Sequence, residues 1–342
     1  MTERSISLAA IRDAETTLRG RIHRTPMLSS RTAARVTGER LGVTLGAGPS
    51  DDGVPRLLVK GEHLQVTGSF KVRGAINRLP ALDASERERG VVTASNGNHG
   101  QAVAFAGAAV GVPVTVVMPA FAMPAKVDAA TGYGATVVLH GSHFGEALAY
   151  AQVLRDERGM TLIHAYDDPA VIAGQGTVGL EILADVPNVD VLVVGAGGGG
   201  LVSGVASAVK AIRPACRIVV VEPEASDALG RGVAAGAPVS IVPATIADGL
   251  GAAAAGEWTL PIAARLVDRF VVVSEAVIAR GVAFALERMK QLLEPAGAAA
   301  LGAVIAGAVP IDAGATVVCV ASGGNVDIGR LPDILALAAE AD

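Results

Sequence analysis

Short runs of β-branched residues alternate with longer alanine-rich segments along this chain. A buried parallel strand reads as a continuous apolar run, and it needs a helical crossover to reach the next strand. The alternation therefore predicts an α/β fold with mainly parallel sheets flanked by helices. The predicted strands are Leu57 to Val59, Val91 to Thr93, Val114 to Val117, Thr136 to Leu139, Val191 to Val194, Ile218 to Val221, Val271 to Val273 and Val317 to Val320.

Length and composition limit the class of protein. A chain of 342 residues is expected to form about two domains. A hydrophobic content of 51% predicts a compact core rather than disorder. The formal charge of -5 provides no basic excess to neutralise phosphates, so a nucleic-acid partner is not expected.

Cysteine usage and the N-terminal residues indicate a cytoplasmic protein. Cys216 and Cys319 have no partners at zinc-ligand spacing, which predicts buried thiols in a reducing compartment. The N-terminus lacks the apolar stretch of a signal peptide. The uncharged stretch from Val191 to Val209 contains six glycines, which favours a strand, a loop and a helix over a membrane span. We therefore expect no membrane partner.

Residues Gly46 to Pro55 are rich in turn formers and predict an exposed loop.

A glycine-rich segment, Gly195 to Leu201, follows one predicted strand and precedes an alanine-rich helix. Consecutive amides without side chains can approach an anion closely, so the segment is suited to a phosphate. It also matches the Gly-x-Gly-x-x-Gly pattern, and Glu222 ends the next strand 22 residues after Gly200, as in a dinucleotide site. Tight packing of a strand against a helix is a third interpretation.

Lys71 lies beside Phe70, after a glycine turn and at a predicted helix start. The positive end of the helix and the charge of Arg73 would both lower the pKa of its ammonium group. A lysine that loses its proton easily can form a Schiff base.

Two further polar turns follow predicted strands. The segment from Ser95 to Gln101 is rich in exposed amides and could bind a carboxylate at the next helix N-terminus. His99 in such a turn more often bonds backbone groups than acts as a base. The segment from Ser322 to Asn325 places a hydroxyl where it could bond a heterocyclic nitrogen or cap the turn.

Together these segments resemble the serine/threonine dehydratase family of pyridoxal-phosphate enzymes, which includes serine racemase and has the fold type II, tryptophan-synthase-β-like architecture. The resemblance covers nearly the whole chain. The dinucleotide interpretation would leave Lys71, Asn98 and Ser322 without a role. Further matching segments are Asp168-Pro169, Val171 to Thr177, Thr245 to Gly249 and Glu294 to Gly297.

The resemblance implies roles for the residues around the cofactor, pyridoxal 5'-phosphate. Lys71 would carry it as an internal aldimine, with Phe70 packed on the pyridine ring. Asn98 would bond its phenolic oxygen, and Ser322 would face the pyridine nitrogen. The residues implied to hold the phosphate are Gly197, Gly198, Gly199, Gly200 and Leu201.

The resemblance also implies a substrate site. Ser95, Asn96 and the amide of His99 would bind the substrate carboxylate, and Gly249 and Glu294 would line the same pocket. The implied reaction is deamination of L-threonine or L-serine by loss of water, which yields 2-oxobutanoate or pyruvate plus ammonia. The alternatives are an amino-acid (serine) racemase, a lyase for another β-hydroxy amino acid such as 3-hydroxyaspartate, and a non-catalytic pyridoxal-phosphate or amino-acid binding protein.

The same resemblance implies two domains and an oligomer. A large cofactor-binding domain would comprise residues 1–81 and 156–342, with a small mobile domain at 82–155 inserted into it. Homodimers or homotetramers are usual in the family.

A divalent cation, Mg²⁺ or Ca²⁺, is implied for some family members. Glu222 and Ser226 match the first two ligand positions, but Ala228 occupies the third, and Asp227 lies one residue early. The oxygen shell that such a cation needs is therefore incomplete, and we expect weak cation dependence at most.

Asn96 stands where serine racemase has a serine that acts as the second acid–base. A carboxamide does not ionise in the accessible pH range. We therefore expect deamination of L-substrates with little racemisation.

Overall fold

The computed structural model describes residues 4–49, 52–95, 97–120, 122 and 124–340. Ten strands occur in this part of the chain, and the eight predicted runs all lie within strands. The strands are β1 (Met27–Ser30), β2 (Leu57–Lys60), β3 (Val91–Ala94), β4 (Val114–Met118), β5 (Thr136–Leu139), β6 (Thr161–Leu162), β7 (Val191–Gly195), β8 (Arg217–Pro223), β9 (Arg269–Val273) and β10 (Val317–Val320).

Fourteen α-helices accompany these strands within the described ranges. They are α1 (Leu8–Leu18), α2 (Arg31–Leu41), α3 (Lys71–Arg78), α4 (Ala84–Arg89), α5 (Asn98–Val110), α6 (Pro124–Gly132), α7 (Phe144–Arg158), α8 (Pro169–Asp185), α9 (Gly200–Ile212), α10 (Ala228–Ala235), α11 (Thr259–Leu266), α12 (Glu275–Phe284), α13 (Pro295–Ile305) and α14 (Leu331–Ala338). None of these helices is both long and apolar enough to cross a membrane.

The strands form two sheets. The larger has the order β1-β2-β10-β7-β8-β9 and the smaller the order β5-β4-β3-β6. Every pair is parallel except β1 with β2, and the edge strand β1 carries no run that predicted it. The predicted α/β class with mainly parallel sheets is confirmed. The smaller sheet extends to β6, beyond residue 155, and the domain boundaries themselves remain a prediction.

Alternate residues of the central strand β7 point into two different cores, because successive side chains of a strand lie on opposite faces. Val191 and Val193 pack in the core that contains α13, whereas Leu192 and Val194 pack in the core that contains α9. Helices thus cover both faces of the larger sheet, and its four inner strands, β2, β10, β7 and β8, are almost entirely buried.

Several smaller predictions also have outcomes. Cys216 and Cys319 are free and buried, as predicted. The stretch from Val191 to Val209 forms β7, a loop and α9, also as predicted. The described residues of the predicted loop at Gly46 to Pro55 lie outside helices and strands.

Candidate active site

Lys71 is the first residue of α3, at the helix start that the sequence predicted. Its side chain is partly buried, and Nζ donates a hydrogen bond to the carbonyl of Ala165 at 2.8 Å and lies 5.2 Å from the centre of the Phe70 ring. Burial lowers the pKa of Lys71 to about 8, and the charge of Glu294 opposes this shift. The sequence predicted the direction but attributed it to the helix end and to Arg73.

Arg73 does not act as that neighbouring cation, because its own charge is paired. Its guanidinium donates to Glu62 at 2.7 and 2.8 Å and to Glu181 at 2.7 and 3.0 Å. Lys60 donates to the same Glu181 carboxylate at 2.6 Å. The pKa of Arg73 is raised, since the two carboxylates outweigh the opposing effect of burial. This network fixes α3 between β2 and α8, and no local sequence pattern indicated it.

The glycine turn before Lys71 and the polar turn after β10 are held together by backbone bonds. Phe70 N donates to Ser322 O at 3.1 Å, and Gly324 N donates to Gly68 O at 2.9 Å. Ser322 is buried, and its hydroxyl donates to Ala296 O at 3.3 Å. The segments that carry Lys71 and Ser322 are far apart in sequence, and the fold therefore places them side by side.

Asn98 lies at the start of α5 and joins this region through its amide. Its Nδ2 donates to Glu294 at 2.6 Å, and its Oδ1 accepts from Asn325 at 2.8 Å. Burial raises the pKa of Glu294 to about 7, although the bond from Asn98 opposes the shift. Gly249 lies beside Ala296, two residues after Glu294, because a Cβ on Gly249 would be 2.9 Å from the Cβ of Ala296.

Ser95 is buried in the turn before α5, and His99 is buried in the first turn of that helix. The Ser95 hydroxyl accepts from Gly97 N at 3.1 Å and from Gly100 N at 2.9 Å, so it caps the helix. His99 Nε2 donates to Ile163 O at 3.1 Å. Burial and then the charge of Lys71 lower the pKa of His99 to about 3, so the ring is neutral at physiological pH. Asn96 lies outside the described residues.

The glycine loop between β7 and α9 has the properties of an anion site. In the described part of the chain, the amides from Gly197 to Leu201 donate to no protein acceptor. Close packing also demands glycines here: a Cβ on Gly197 would lie 2.7 Å from Leu250 O, and one on Gly198 would lie 2.5 Å from the Tyr166 ring. Gly199 has φ +91°, a left-handed conformation that side chains disfavour.

These observations test whether pyridoxal phosphate fits. Free amides at the start of a helix suit a phosphate. The Ser69 hydroxyl and His99 Nδ1 are buried without a protein partner among the described residues, as expected of atoms that bond a ligand. The residues present therefore fit a cofactor that carries a phosphate and polar ring substituents.

Glu222 does not lie in a metal cluster. Its carboxylate accepts from Leu229 N at 3.0 Å and from Gly230 N at 2.9 Å, and thereby holds the first turn of α10. Burial raises its pKa to about 7. No group of three or more candidate ligands occurs in the described ranges, so the predicted Mg²⁺ or Ca²⁺ ion has no support.

Sequence analysis missed three residues that support the site. The Tyr166 ring packs on the glycine loop, Asp167 accepts from Trp258 N at 2.7 Å, and Thr259 donates to Gly198 O at 2.7 Å. Tyr166 and Asp167 directly precede the matching segment Asp168-Pro169, whereas no pattern in the sequence indicated Thr259.

Comparison with known proteins defines the class. The family described as pyridoxal-phosphate dependent enzyme matches residues 24–323. The chain therefore belongs to this family of pyridoxal-phosphate-dependent enzymes, and the resemblance stated from its motifs is confirmed.

Within this family the chain is similar to enzymes that act on threonine. It is 38% identical over 332 residues to the L-threonine ammonia-lyase of Thermotoga maritima, covering 96% of this chain and 78% of that protein. It is 37% identical to the catabolic L-threonine dehydratase of Staphylococcus aureus, covering 98% and 93%.

Solved structures of the same fold include both lyases and racemases. Maize serine racemase superposes with a TM-score of 0.85 at 34% identity, covering 98% of each chain. The processed form of threonine deaminase isoform 2 from Solanum lycopersicum superposes with a TM-score of 0.86 at 32% identity, covering 97% of this chain and 87% of that one.

Proposed function

We propose that this chain is a pyridoxal-phosphate-dependent ammonia-lyase that converts L-threonine to 2-oxobutanoate, or L-serine to pyruvate, with release of ammonia. The observation that carries the proposal is Lys71, a partly buried amine at the start of α3 whose Nζ bonds a neutral carbonyl at 2.8 Å and whose pKa is lowered by burial to about 8. The similarity to L-threonine ammonia-lyases supports the choice of reaction.

Lys71 would hold the cofactor and then move the proton at the substrate Cα. When bound, pyridoxal phosphate supplies a ring that accepts negative charge from that carbon. The Ala165 carbonyl holds Nζ of Lys71 at 2.8 Å and thus directs the amine. An amine that is already partly deprotonated is matched to proton abstraction near neutral pH.

Ser322 would favour elimination. A neutral hydroxyl facing the pyridine nitrogen cannot keep it protonated as strongly as a carboxylate would. With Ser322 at that place, less negative charge would be delocalised into the cofactor ring, and departure of the β-hydroxyl would compete better with return of the proton. The 3.3 Å bond from Ser322 to Ala296 O is long, so the hydroxyl can rotate toward another acceptor at low cost.

The substrate carboxylate would bind at the start of α5. Ser95 and the amide of His99 are the proposed contacts, together with Asn96, and Gly249 and Glu294 would line the pocket. The Ser95 hydroxyl accepts from two amides and donates only a long bond of 3.4 Å to Gly97 O, which it can exchange for a bond to a carboxylate. The low pKa of His99 keeps its side chain uncharged and makes it unsuited to act as a general acid.

Product release tests the function directly. The purified protein loaded with pyridoxal phosphate is incubated with L-threonine and with L-serine, and 2-oxobutanoate, pyruvate and ammonia are measured. We expect stoichiometric oxo acid and ammonia from at least one substrate. A borohydride-reducible absorption band with no product from either, or from 3-hydroxyaspartate, would instead indicate a non-catalytic binding protein.

An amino-acid racemase is the second candidate, and the similarity to maize serine racemase favours its inclusion. Asn96 argues against it, because an amide supplies no second proton to the opposite face of Cα. Chiral chromatography of serine incubated with the protein distinguishes the two. We expect little D-serine, and Asn96→Ser should raise the ratio of racemisation to elimination. D-serine formed as fast as pyruvate would support the racemase.

We further propose a cytoplasmic homodimer or homotetramer in which the segment 82–155 moves as a small domain. Cation dependence should be weak, because both Glu222 oxygens already bond backbone amides. Sedimentation gives the oligomeric state. Chelation that abolishes activity, with recovery at micromolar magnesium, would contradict the expected cation independence.

A further inference from the structure

Thr259 holds its hydroxyl in one fixed direction. It is the first residue of α11 and is fully buried. Its Oγ1 accepts a hydrogen bond from Gly256 N at 2.9 Å, so its single hydrogen is free for an acceptor. That acceptor is the carbonyl of Gly198, at 2.7 Å. The hydroxyl therefore acts as a donor toward the glycine loop.

This bond fixes one peptide of the loop. The C=O of Gly198 and the N–H of Gly199 belong to the same trans peptide, so they point in opposite directions. With the carbonyl directed toward α11, the Gly199 N–H faces away from that helix. It belongs to the run of amides that have no acceptor among the described residues.

Glycines alone would not hold this orientation. A peptide between two glycines can rotate between conformations that side chains would forbid. Thr259 Cβ lies on one side of the loop, 3.0 Å from where a Cβ on Gly199 would be, and the Tyr166 ring lies against Gly198. Asp167, the next residue, accepts from the amides of Trp258 at 2.7 Å and Thr259 at 3.4 Å. The start of α11 is thereby fixed beside the loop.

We propose that Thr259 is a positioning residue for the phosphate of the cofactor: it holds the Gly198–Gly199 peptide so that the Gly199 N–H donates to a phosphate oxygen. The inference rests on the proposed function of the glycine loop. Without the hydroxyl, the peptide can turn its carbonyl toward the phosphate, which replaces an attraction by a repulsion. The effect is confined to the phosphate and does not extend to the pyridine ring.

The test compares two cofactor forms on the apoprotein. Thr259→Val removes the donor with little change of volume, and Thr259→Ser keeps it. Ser207→Ala is the matched control, because it removes a buried hydroxyl further along α9 that donates to Ser203 O at 2.7 Å. Each protein is titrated with pyridoxal phosphate and with pyridoxal, which lacks the phosphate, and the Kd is taken from the absorption of the bound form.

We expect Thr259→Val to weaken pyridoxal phosphate binding by about tenfold or more and to leave pyridoxal binding within about threefold. Thr259→Ser and Ser207→Ala should keep the wild-type ratio of the two affinities. An equal loss for both cofactor forms, or no loss for either, would overturn the inference. Thr259→Ala, which leaves room for relaxation, provides the same comparison if the valine variant does not fold.

Failure of the inference is distinct from failure of the proposed function. If the glycine loop binds no phosphate, the wild-type protein itself shows no preference for pyridoxal phosphate over pyridoxal. If only the role of Thr259 is wrong, the wild-type preference remains and the valine variant retains it.

Discussion

Lys71 and Arg73 lie two residues apart on α3, yet their charges have opposite surroundings. Lys71 bonds one neutral carbonyl, and burial lowers its pKa to about 8. Arg73 is almost fully buried, at 1% exposure of its side chain, but its guanidinium is paired with two carboxylates and its pKa is raised. Burial disfavours an unpaired charge and is compatible with a paired one.

The difference shows how one helix can be both fixed and reactive. The Arg73 side chain ties α3 to Glu62 and Glu181, on segments far apart in the chain. Lys71 projects from the first turn of this fixed helix, and the hydrogen bond of its amine goes to a carbonyl rather than to a carboxylate. A nucleophilic amine needs to lose its proton, whereas a structural cation needs to keep its charge.

Removal of the reactive member should have the largest effect. In Lys71→Ala the group that holds the cofactor and moves the proton is lost, so we expect lyase activity to fall by at least about a thousandfold. The borohydride-reducible absorption band should disappear, and the circular dichroism spectrum should show that the fold is retained. Lys210→Ala is the control, because Lys210 lies in the last turn of α9 and pairs with Asp268. Activity in Lys71→Ala close to that of this control would contradict the assignment of the catalytic lysine.

Removal of the structural member should act on stability. Arg73→Met leaves Glu62 buried without its partner, so we expect the free energy of unfolding to fall by about 3–5 kcal/mol. Urea unfolding of the apoprotein at neutral pH measures the change. Arg73→Lys keeps the charge but not the bidentate hydrogen bonds, so its free energy of unfolding should fall by less. If the methionine variant is as stable as wild type, the network does not hold α3.

The contributions of Lys71 and Arg73 to the free energy of unfolding should also depend differently on pH. Lys71 has a folded pKa of about 8 and an ordinary value of 10.5, so above pH 8 the folded apoprotein binds fewer protons than the unfolded chain. Stability contributed by this site is therefore lowest below pH 8 and rises between pH 8 and 10.5. Arg73 should contribute no change over this range.

The titration can be observed directly because the chain has only five lysines. Reductive methylation of the apoprotein with ¹³C-formaldehyde labels each amine for NMR. Besides the α-amino group, which ordinarily titrates near pH 8 and is labelled in both proteins, we expect one lysine resonance with an inflection near pH 8 that is missing in Lys71→Ala. Its absence from the wild-type protein would show that the pocket does not desolvate the amine.

Local patterns were sufficient to predict most of the strands, and the order of several motifs was sufficient to select the candidate site residues by resemblance to a family. A strand, the glycine turn after it and the following helix are consecutive in the chain, so the local structure around Gly195 to Leu201 could be predicted from their own order, while its ligand could not. The segments around Lys71, Asn98 and Ser322 are likewise contiguous motifs. The edge strand β1 was missed because its residues, Met27–Ser30, lack a β-branched run.

The electrostatic surroundings of these residues required the tertiary structure. Arg73 and Glu181 are separated by 108 positions, and Thr259 and Gly198 by 61. Only the packing of α3 against α8, and of α11 against α9, brings such partners within bonding distance. The sequence alone therefore determined which groups are present and was sufficient to predict that the pKa of Lys71 is lowered. The cause of that shift depends on burial and on paired charges, which are properties of the folded chain.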